Sequence, residues 1–361
     1  MPPAEVDVTG DLVRHLIASQ HPDLAGLPVT FLASGWDNVL YRVGDRLVAR
    51  LPRRALGAEI IVHEQRWLPS FTLPLPIPRP ERLGAPSSAY PWPWSLVPYL
   101  PGGPASAAPD LDGDAAAVTL GGFLRALHGP APADAPVNPF RGFWVGERED
   151  RFRSNLAAAS GQVDEAAALR VWGEAVAAPR YAGPPLWLHG DLHPANILVR
   201  DGKISGVIDW GDITSGDPAT DLSVAWALLP LSCHETFWAA YSGGGSAGGA
   251  CADADDALRA RARGWALRLG LVFLAFSADN PDMLAIGQRT LPRVLAQPLS
   301  QRLTRADGGF GCVAGGESGE PWDRRRPGTK RMPSACGRPM DTSATWTEPL
   351  RPRPAWLSAR Q

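Results

Sequence analysis

The chain has 361 residues, of which 45% are hydrophobic, and this is enough for two lobes with a sizeable core. Its formal net charge of −2 gives no indication of a nucleic-acid or anionic membrane partner. Its apolar runs fall short of the roughly 20 residues that span a bilayer, and the N-terminal sequence MPPAEVD lacks the pattern of a signal peptide. The four cysteines have no metal-like spacing, so we expect a protein of the reducing cytoplasm.

The first elements along the chain are predicted to be a helix and an antiparallel sheet. Apolar residues recur at helical spacing in residues 11–21. Strand-like segments follow at residues 30–34, 39–43 and 46–51, and turn residues separate each from the next. The sequence therefore predicts three adjacent antiparallel strands covered by a helix.

A second helix is predicted at residues 55–67, where apolar positions are three or four apart. Prolines recur through residues 69–80, so this segment is expected not to be helical. Residues 90–97 end in a further strand, and residues 98–103 are interpreted as a hinge between two lobes.

The remainder of the chain is predicted to be mainly helical, with helices at residues 114–128, 223–229, 253–277 and 282–296, and a long helical region at residues 146–178 that is broken near Gly161. In the first of these, Val118, Phe123 and Leu127 are expected to share a buried face. Beyond residue 297 the hydrophobic periodicity is lost and Gly, Pro and Arg dominate. Residues 297–361 are therefore predicted to be a disordered tail.

A short β-hairpin is predicted among these helices. The apolar runs at residues 197–199 and 206–208 flank the turn sequence RDGK, and Asp-Gly between apolar runs is a hairpin signal. The loops at the two ends of such a hairpin lie side by side. They carry Asp191, Asn196 and Asp209.

These three residues together fit phosphoryl transfer. That reaction needs a carboxylate that accepts or orients the attacking hydroxyl, and oxygen ligands that hold Mg²⁺ against the nucleotide phosphates. Asp191 fits the catalytic base, Asn196 fits a metal ligand, and Asp209 fits the main metal carboxylate.

A zinc site is the alternative interpretation of the same loop. His189, Asp191 and His193 alternate, so on a strand their side chains would share one face and could bind zinc in a metallohydrolase. Pro194 would end such a strand, and no further cluster of His or Cys lies nearby. The hairpin and Asp209 would also be left without a role.

The segment HGDLHPAN at residues 189–196 resembles the signature of the aminoglycoside phosphotransferase family, and DWG at residues 209–211 resembles the kinase D-F-G. GDPATDL at residues 216–222 is also similar to this family, and N-P-F-R-G at residues 138–142 resembles one bacterial branch of it. The resemblance covers about residues 28–296. It implies an α+β, bilobal protein-kinase-like fold, with a small antiparallel-sheet N-lobe and a mainly helical C-lobe.

The resemblance places a nucleotide site in an N-lobe at residues 1–100, and catalysis and substrate binding in a C-lobe at residues 101–296. Ser34 and Gly35 are expected over the phosphates, where small residues let backbone N–H groups approach an anion. Arg50 stands where kinases carry a lysine, and no lysine precedes residue 203. A guanidinium also binds phosphate oxygens, although a solvated arginine at the end of a strand is the alternative.

Glu64 lies on the apolar side of the second predicted helix and is expected to form an ion pair with Arg50, with Glu59 as the alternative partner. In the hinge, the resemblance implies that the nucleotide base binds the carbonyl of Pro98 and the N–H of Leu100. Proline has no N–H, but it supplies the carbonyl that this pattern needs.

The resemblance implies Mg²⁺-dependent transfer of the γ-phosphate of ATP, or of GTP, to a hydroxyl of a small molecule. Aminoglycoside or macrolide antibiotics are the leading acceptors, and a kinase of choline, homoserine or a sugar amine is the alternative. A nucleotide-binding pseudokinase, which the missing lysine would suit, also stays open. No nucleic-acid or membrane partner is expected, and the oligomeric state is not predicted.

Several acidic residues are candidates for binding the acceptor. Asp212 lies three residues after Asp209 and could meet a cationic substrate. Glu147, Glu149 and Asp150 could face the substrate cleft, or they could form the solvated start of a helix.

Overall fold

The structure, a computed structural model, describes residues 3–243 and 250–296, and in the second segment it describes side chains from residue 256. The predicted disordered tail at residues 297–361 lies outside the described residues. Among the described residues, no helix combines the length and the apolar character needed to cross a membrane.

An antiparallel sheet forms the first part of the molecule. Its strands are β1 (Val29–Ser34), β2 (Asn38–Val43), β3 (Leu47–Pro52), β4 (Arg82–Gly84) and β5 (Trp94–Pro98). Within the described residues they pair in the order β1-β2-β3-β5-β4. The three predicted adjacent strands are therefore confirmed.

Two helices pack beside this sheet, α1 (Gly10–Gln20) and α2 (Ala55–Trp67). The Thr9 hydroxyl accepts a hydrogen bond from the Leu12 N–H at 3.2 Å and so caps α1. Both predicted helices are confirmed. The proline-rich segment differs slightly from its prediction, because a 3₁₀ turn at Leu68–Ser70 follows α2. A proline in a first helical turn loses no helical hydrogen bond, which is why Pro69 is accommodated there.

The second part is mainly helical. Its helices are α3 (Gly113–Leu127), α4 (Glu149–Ala158), α5 (Glu165–Ala177), α6 (Ala219–Leu222), α7 (Val224–Leu228), α8 (His234–Ser242), α9 (Ala250–Phe276) and α10 (Pro281–Ala296). Among the described residues, this part encloses a core that contains Phe123, Trp226 and Trp265.

One predicted core position on α3 is wrong. Val118 is 54% exposed, whereas Phe123 and Leu127 are buried as expected. The buried stripe runs through Leu120 at spacings of three and four residues. Val118 lies about 200° around the helix axis from Leu120, because each residue advances by about 100°.

The predicted hairpin is present. Strands β8 (Ile197–Arg200) and β9 (Lys203–Val207) pair antiparallel. Asp201 and Gly202 connect them with φ values of 52° and 70°, as a two-residue hairpin turn requires. The short strands β6 (Gly103–Pro104), β7 (Leu186–Leu188) and β10 (Thr214–Gly216) flank this region, and β6 pairs with β8.

Candidate active site

A cleft lies between the sheet and the hairpin. Five residues with predicted nucleotide or metal roles line it together: Gly35, Arg50, Pro98, Leu100 and Asp209. These residues share the cleft because of the positions of the elements that carry them. The Gly35 turn, β3 and the end of β5 belong to one sheet, and Asp209 follows the hairpin. The residues predicted to bind nucleotide and metal therefore face a common space.

Ser34 does not line the cleft. Its hydroxyl accepts a hydrogen bond from Arg53 Nη1 at 3.1 Å. The backbone N–H of Gly35 donates to the carbonyl of Asn38 at 2.8 Å, which closes the turn between β1 and β2. The side chain of Ser34 thus supports this turn, and Gly35 is the residue that reaches the cleft.

The predicted ion pair between Arg50 and Glu64 is present. Arg50 Nη2 lies 2.8 Å from Glu64 Oε1, and the two residues are 7% and 1% exposed. Glu59, the alternative partner, is exposed on α2. Because Arg50 is buried, it is not the solvated arginine at a strand end that the sequence also allowed.

The backbone of the loop that carries Asp191 is hydrogen-bonded to the side chain of Asp221. The buried Asp221 carboxylate accepts hydrogen bonds from the N–H groups of His189 and Gly190 at 2.7 and 2.9 Å. His128 Nε2 lies 3.3 Å from the same carboxylate. Hydrogen bonds to a charged acceptor are among the stronger ones, so Asp221 fixes the backbone of this loop.

The alternative zinc site does not match this arrangement. His189 Nε2 is 3.0 Å from the carbonyl of Ile208, and His189 Nδ1 is 3.3 Å from the N–H of Asp191. Both ring nitrogens are thereby engaged inside the protein. The described residues contain no group of three or more His, Cys, Asp or Glu that could hold a metal ion.

Asp191 lies between two basic side chains and is 8% exposed. Arg141 Nη2 is 3.1 Å from Asp191 Oδ1, and His193 Nε2 is 3.4 Å from Asp191 Oδ2. Asn196 Nδ2 donates to the backbone carbonyl of Asp191 at 2.9 Å. The carboxylate therefore has a defined orientation at the end of the hairpin.

The two predicted metal ligands are brought to the same end of the hairpin. The N–H of Ile208 donates to the carbonyl of Asn196 at 2.9 Å, which joins the loops that carry Asn196 and Asp209. Among the described residues, no group hydrogen-bonds the buried Oδ1 of Asn196. An oxygen ligand without a protein partner, together with one carboxylate, fits a Mg²⁺ ion that takes its other ligands from water and phosphate.

Asp209 is held in an uncommon backbone conformation, with φ 62° and ψ 67°. Such a conformation costs a non-glycine residue about 1–3 kcal/mol and persists where the surroundings determine it. The next residue, Trp210, is fully buried, and its Nε1 donates to the carbonyl of Val207 at 3.1 Å. The Trp210 ring packs against His189 and Phe71, so the position of Asp209 is set by aromatic packing.

Gly190→Ala should destabilise the protein and the loop that carries Asp191. Gly190 has φ 85°, and an added Cβ would lie 2.2 Å from the backbone oxygen of Asp212. We expect a loss of about 2 kcal/mol or more in the free energy of unfolding, since both the conformation and the contact are unfavourable. Urea denaturation measures it. Gly173→Ala, where the added Cβ meets nothing within 4 Å in α5, should be neutral or stabilising; equal losses for both variants would contradict the prediction.

Arg141 is a site residue to which the sequence pattern assigns no role. It belongs to a loop whose N-P-F-R-G pattern carries a family resemblance and nothing more. The contact with Asp191 joins residues 50 positions apart in the chain. The Asn-Pro step at the start of this pattern is a turn signal, but nothing in it indicates which side chain the arginine contacts.

The acidic candidates for acceptor binding have other contacts. Asp212 Oδ1 accepts a hydrogen bond from Asn138 Nδ2 at 2.8 Å. Glu149 forms an ion pair with Arg153 at 2.7 Å and accepts a hydrogen bond from Trp172 Nε1. Glu147, in the 3₁₀ turn Val145–Arg148 that precedes α4, and Asp150, in the first turn of α4, are both exposed, as the solvated interpretation predicts.

An antiparallel sheet joined to a mainly helical part, with a cleft between the sheet and the hairpin, defines a kinase-like α+β fold. The model of the Phosphotransferase enzyme family matches residues 28–264. The chain belongs to this family.

Among characterised relatives, an aminoglycoside 3'-phosphotransferase of Escherichia coli is 29% identical over 209 residues, which are 56% of this chain and 69% of the relative. A solved structure of the GDP complex of aminoglycoside 2'-phosphotransferase-IIIa is similar with a TM-score of 0.54 and 20% identity, over 80% of this chain and 99% of that one. Macrolide 2'-phosphotransferase MphH from Brachybacterium faecium is similar with a TM-score of 0.50 and 24% identity, over 78% of this chain and 97% of that one. At these identities the two structures support the fold alone.

Proposed function

We propose that the chain catalyses the Mg²⁺-dependent transfer of the γ-phosphate of ATP, or of GTP, to a hydroxyl group of a small molecule. One observation carries this proposal. Asp191, Asn196 and Asp209 lie on the two loops at one end of a hairpin, beside a cleft that is lined by Arg50, the partner of Glu64 in a buried ion pair. A base, metal ligands and a phosphate-binding cation are the parts that phosphoryl transfer requires.

The nucleotide is proposed to lie in the cleft, between an N-lobe of residues 1–100 and a C-lobe of residues 101–296. Its base would bind the carbonyl of Pro98 and the N–H of Leu100. Among the described residues, no acceptor is paired with the backbone N–H of Leu100, which supports this donor role. Arg50, oriented by Glu64, would bind the phosphates below the turn that contains Ser34 and Gly35.

Asn196 and Asp209 would hold Mg²⁺, which neutralises charge on the nucleotide phosphates when it is bound. Asp191 would orient the acceptor hydroxyl and take its proton. The hydroxyl oxygen forms the new bond to the γ-phosphorus while the bond from that phosphorus to the bridging oxygen breaks, and the nucleoside diphosphate leaves. Most of the rate would come from positioning and from charge stabilisation, because the protein forms no covalent intermediate in this scheme.

The acceptor is proposed to be a small hydroxyl compound. The named relatives and structural neighbours act on aminoglycosides or macrolides, which makes those antibiotics the first acceptors to test. Choline, homoserine and sugar amines are the alternative acceptors. We also propose a cytoplasmic location for the reaction, because its proposed donors, ATP and GTP, are available there.

A coupled assay of nucleoside diphosphate release tests the proposal. The full chain is incubated with ATP or GTP and with a panel of aminoglycosides, macrolides and amino alcohols, with Mg²⁺ and with excess EDTA. We expect at least one acceptor to stimulate release, and EDTA to abolish that stimulation. Nucleotide binding without stimulation by any acceptor would instead indicate a pseudokinase. Zinc in the purified protein, without nucleotide binding, would indicate a metallohydrolase.

A further inference from the structure

Arg53 lies in the short link between β3 and α2. Because β3 carries Arg50 and α2 carries Glu64, this link joins the two elements of the buried ion pair. We propose that Arg53 is a positioning residue for the donor nucleotide, which holds the β1–β2 turn, at residues 35–38, over the nucleotide phosphates. This inference rests on the proposed function and adds to it a residue that lies outside the cleft.

The side chain and the backbone of Arg53 both hold the β1–β2 turn. Nη1 donates to Ser34 Oγ at 3.1 Å and to the carbonyl of Gly35 at 3.3 Å. The backbone N–H donates to the carbonyl of Asp37 at 2.8 Å. Hydrogen bonds from a charged donor are among the stronger ones. The position of the turn relative to β3 therefore depends on Arg53.

The N-terminal segment fixes Arg53 from the other side. The carbonyl of Arg53 accepts hydrogen bonds from the N–H groups of Glu5 and Val6 at 2.8 and 3.3 Å. Glu5 Oε2 also accepts a hydrogen bond from the N–H of Ala55, the first residue of α2, at 3.1 Å. Within the described residues, the side chain of Arg54 at the N-cap position makes no capping hydrogen bond, so Glu5 supplies this cap.

The β1–β2 turn also packs directly against α2. A Cβ added to Gly57 would lie 2.6 Å from the carbonyl oxygen of Asp37, so helix and turn are in contact with no room for a side chain. Arg54 Nη1 lies 3.6 Å from Asp37 Oδ1. Because α2 carries Glu64, which contacts Arg50, the turn and the phosphate-binding cation share one support.

The β1–β2 turn presents polar atoms that a ligand can satisfy. Trp36 and Asn38 both line the cleft. Among the described residues, no group hydrogen-bonds Trp36 Nε1 or Asn38 Oδ1, although both atoms are buried. Buried polar atoms are nearly always paired, so these two indicate a partner that comes from a ligand. A nucleotide supplies both kinds of partner, since phosphate oxygens accept from an indole N–H and ribose hydroxyls donate to an amide oxygen.

The influence of Arg53 should be confined to the phosphates. Arg53 does not itself line the cleft, and its Nη1 is bound to the turn. The carbonyl proposed to bind the base belongs to Pro98, which pairs with Leu47 at the start of β3, whereas Arg53 follows the end of β3. These two positions are about 20 Å apart along the strand. A change at Arg53 should therefore weaken the binding of phosphates and spare the binding of the base.

The affinities for nucleotides with different numbers of phosphates test this inference. The full chain is titrated with ATP, ADP and adenosine in the presence of Mg²⁺, and with the corresponding guanine series. We expect Arg53→Met to raise the Kd of the triphosphate by about tenfold, as the loss of a charged hydrogen bond predicts, and to leave the nucleoside Kd within about twofold. The nucleotide KM should rise and the acceptor KM should not. A merely structural role would lower the free energy of unfolding and leave the ratio of the two Kd values unchanged.

Three further variants refine this test. Arg53→Lys should give a triphosphate Kd between those of wild type and Arg53→Met, because an ammonium can still reach one acceptor of the turn. Ser34→Ala removes one acceptor of Arg53 with little change in shape, and should raise the triphosphate Kd by about threefold in the same pattern. Arg200→Met, at an arginine whose side chain is 61% exposed in the hairpin turn, is the matched control and should leave every Kd unchanged.

Trp36→Phe separates positioning from direct binding. It keeps an aromatic ring, removes the N–H, and should raise the triphosphate Kd by about threefold. If Arg53 acts by holding the turn, the double variant with Arg53→Met should bind the triphosphate about as well as Arg53→Met alone, because the two changes remove one interaction. Independent contacts would instead multiply the two effects.

Three results would overturn the inference. They are an unchanged triphosphate Kd in both Arg53→Met and Ser34→Ala, equal rises in Kd for the triphosphate and the nucleoside, and effects of Arg53→Met and Trp36→Phe that multiply in full. The last result would make Arg53 an independent phosphate ligand. Each of these leaves the proposed function intact, whereas failure of the wild type to bind any nucleotide would refute that function.

Discussion

Asp191→Ala is expected to lower acceptor phosphorylation by about 10³-fold or more, and to leave nucleotide affinity within about twofold. The substitution removes the only carboxylate that the proposed mechanism places at the acceptor hydroxyl. Asp191 does not line the nucleotide cleft, so the contacts proposed for the base and the phosphates should survive. Coupled kinetics and a nucleotide titration measure the two quantities separately.

Two control variants separate the loss of the Asp191 carboxylate from disturbance of the loop around it. Arg141 and His193 both face the carboxylate, so an alanine could also disturb the loop. Asp191→Asn keeps the shape of the side chain and should lose activity to a similar extent with a melting temperature close to that of wild type. Asp110→Ala, at an exposed aspartate, should retain full activity. Undiminished phosphorylation by Asp191→Asn would falsify the assignment of Asp191 as the base.

The parts of the fold that could be predicted have local signals. The bounds of α2 agree with the prediction, because apolar spacing and flanking prolines define that helix within its own sequence. The hairpin was predictable because Asp-Gly at its turn adopts the positive φ values that the turn requires. Val118 is exposed contrary to the prediction, because a few apolar residues near one another in sequence do not define which stripe of a helix is buried.

Some residues of the candidate site could likewise be predicted from local sequence signals, and others could not. Asp191, Asn196 and Asp209 fall within 19 residues and one hairpin, so their proximity follows from the sequence pattern. The Arg50–Glu64 pair connects neighbouring elements and was also predictable. Arg141 could not be assigned, because its position depends on contacts between its loop and residues more than 70 positions later, at Asp212 and Thr214. Such contacts are set by tertiary packing and leave no periodic signal.

The buried pair of Arg50 and Glu64 should matter separately for stability and for function. Glu64→Ala would leave the Arg50 guanidinium buried without the carboxylate that it now meets at 2.8 Å. We expect the free energy of unfolding to fall by about 3–5 kcal/mol, as is usual when one partner of a buried pair is removed. Nucleotide affinity should also fall, because Arg50 would no longer be oriented towards the phosphates.

Replacing both partners separates these two effects. In the double variant Arg50→Met with Glu64→Leu, no buried charge is left unpaired, and apolar side chains of similar length can fill the space. The free energy of unfolding should therefore return to within about 1 kcal/mol of wild type, since a well-packed apolar pair often matches a buried ion pair. Nucleotide affinity should stay low, because the phosphate-binding cation is absent.

Urea denaturation and nucleotide titration of the wild type, the single variants and the double variant complete this test. Arg50→Lys is the informative comparison, because it restores the residue type that kinases carry and keeps a charge opposite Glu64. It should retain more nucleotide affinity than Arg50→Met, but less than wild type, since an ammonium cannot bind the carboxylate and a phosphate through a planar fork. Recovery of both stability and nucleotide affinity in the double variant would mean that Arg50 and Glu64 are a structural pair, and that the phosphates are bound by other residues of the cleft.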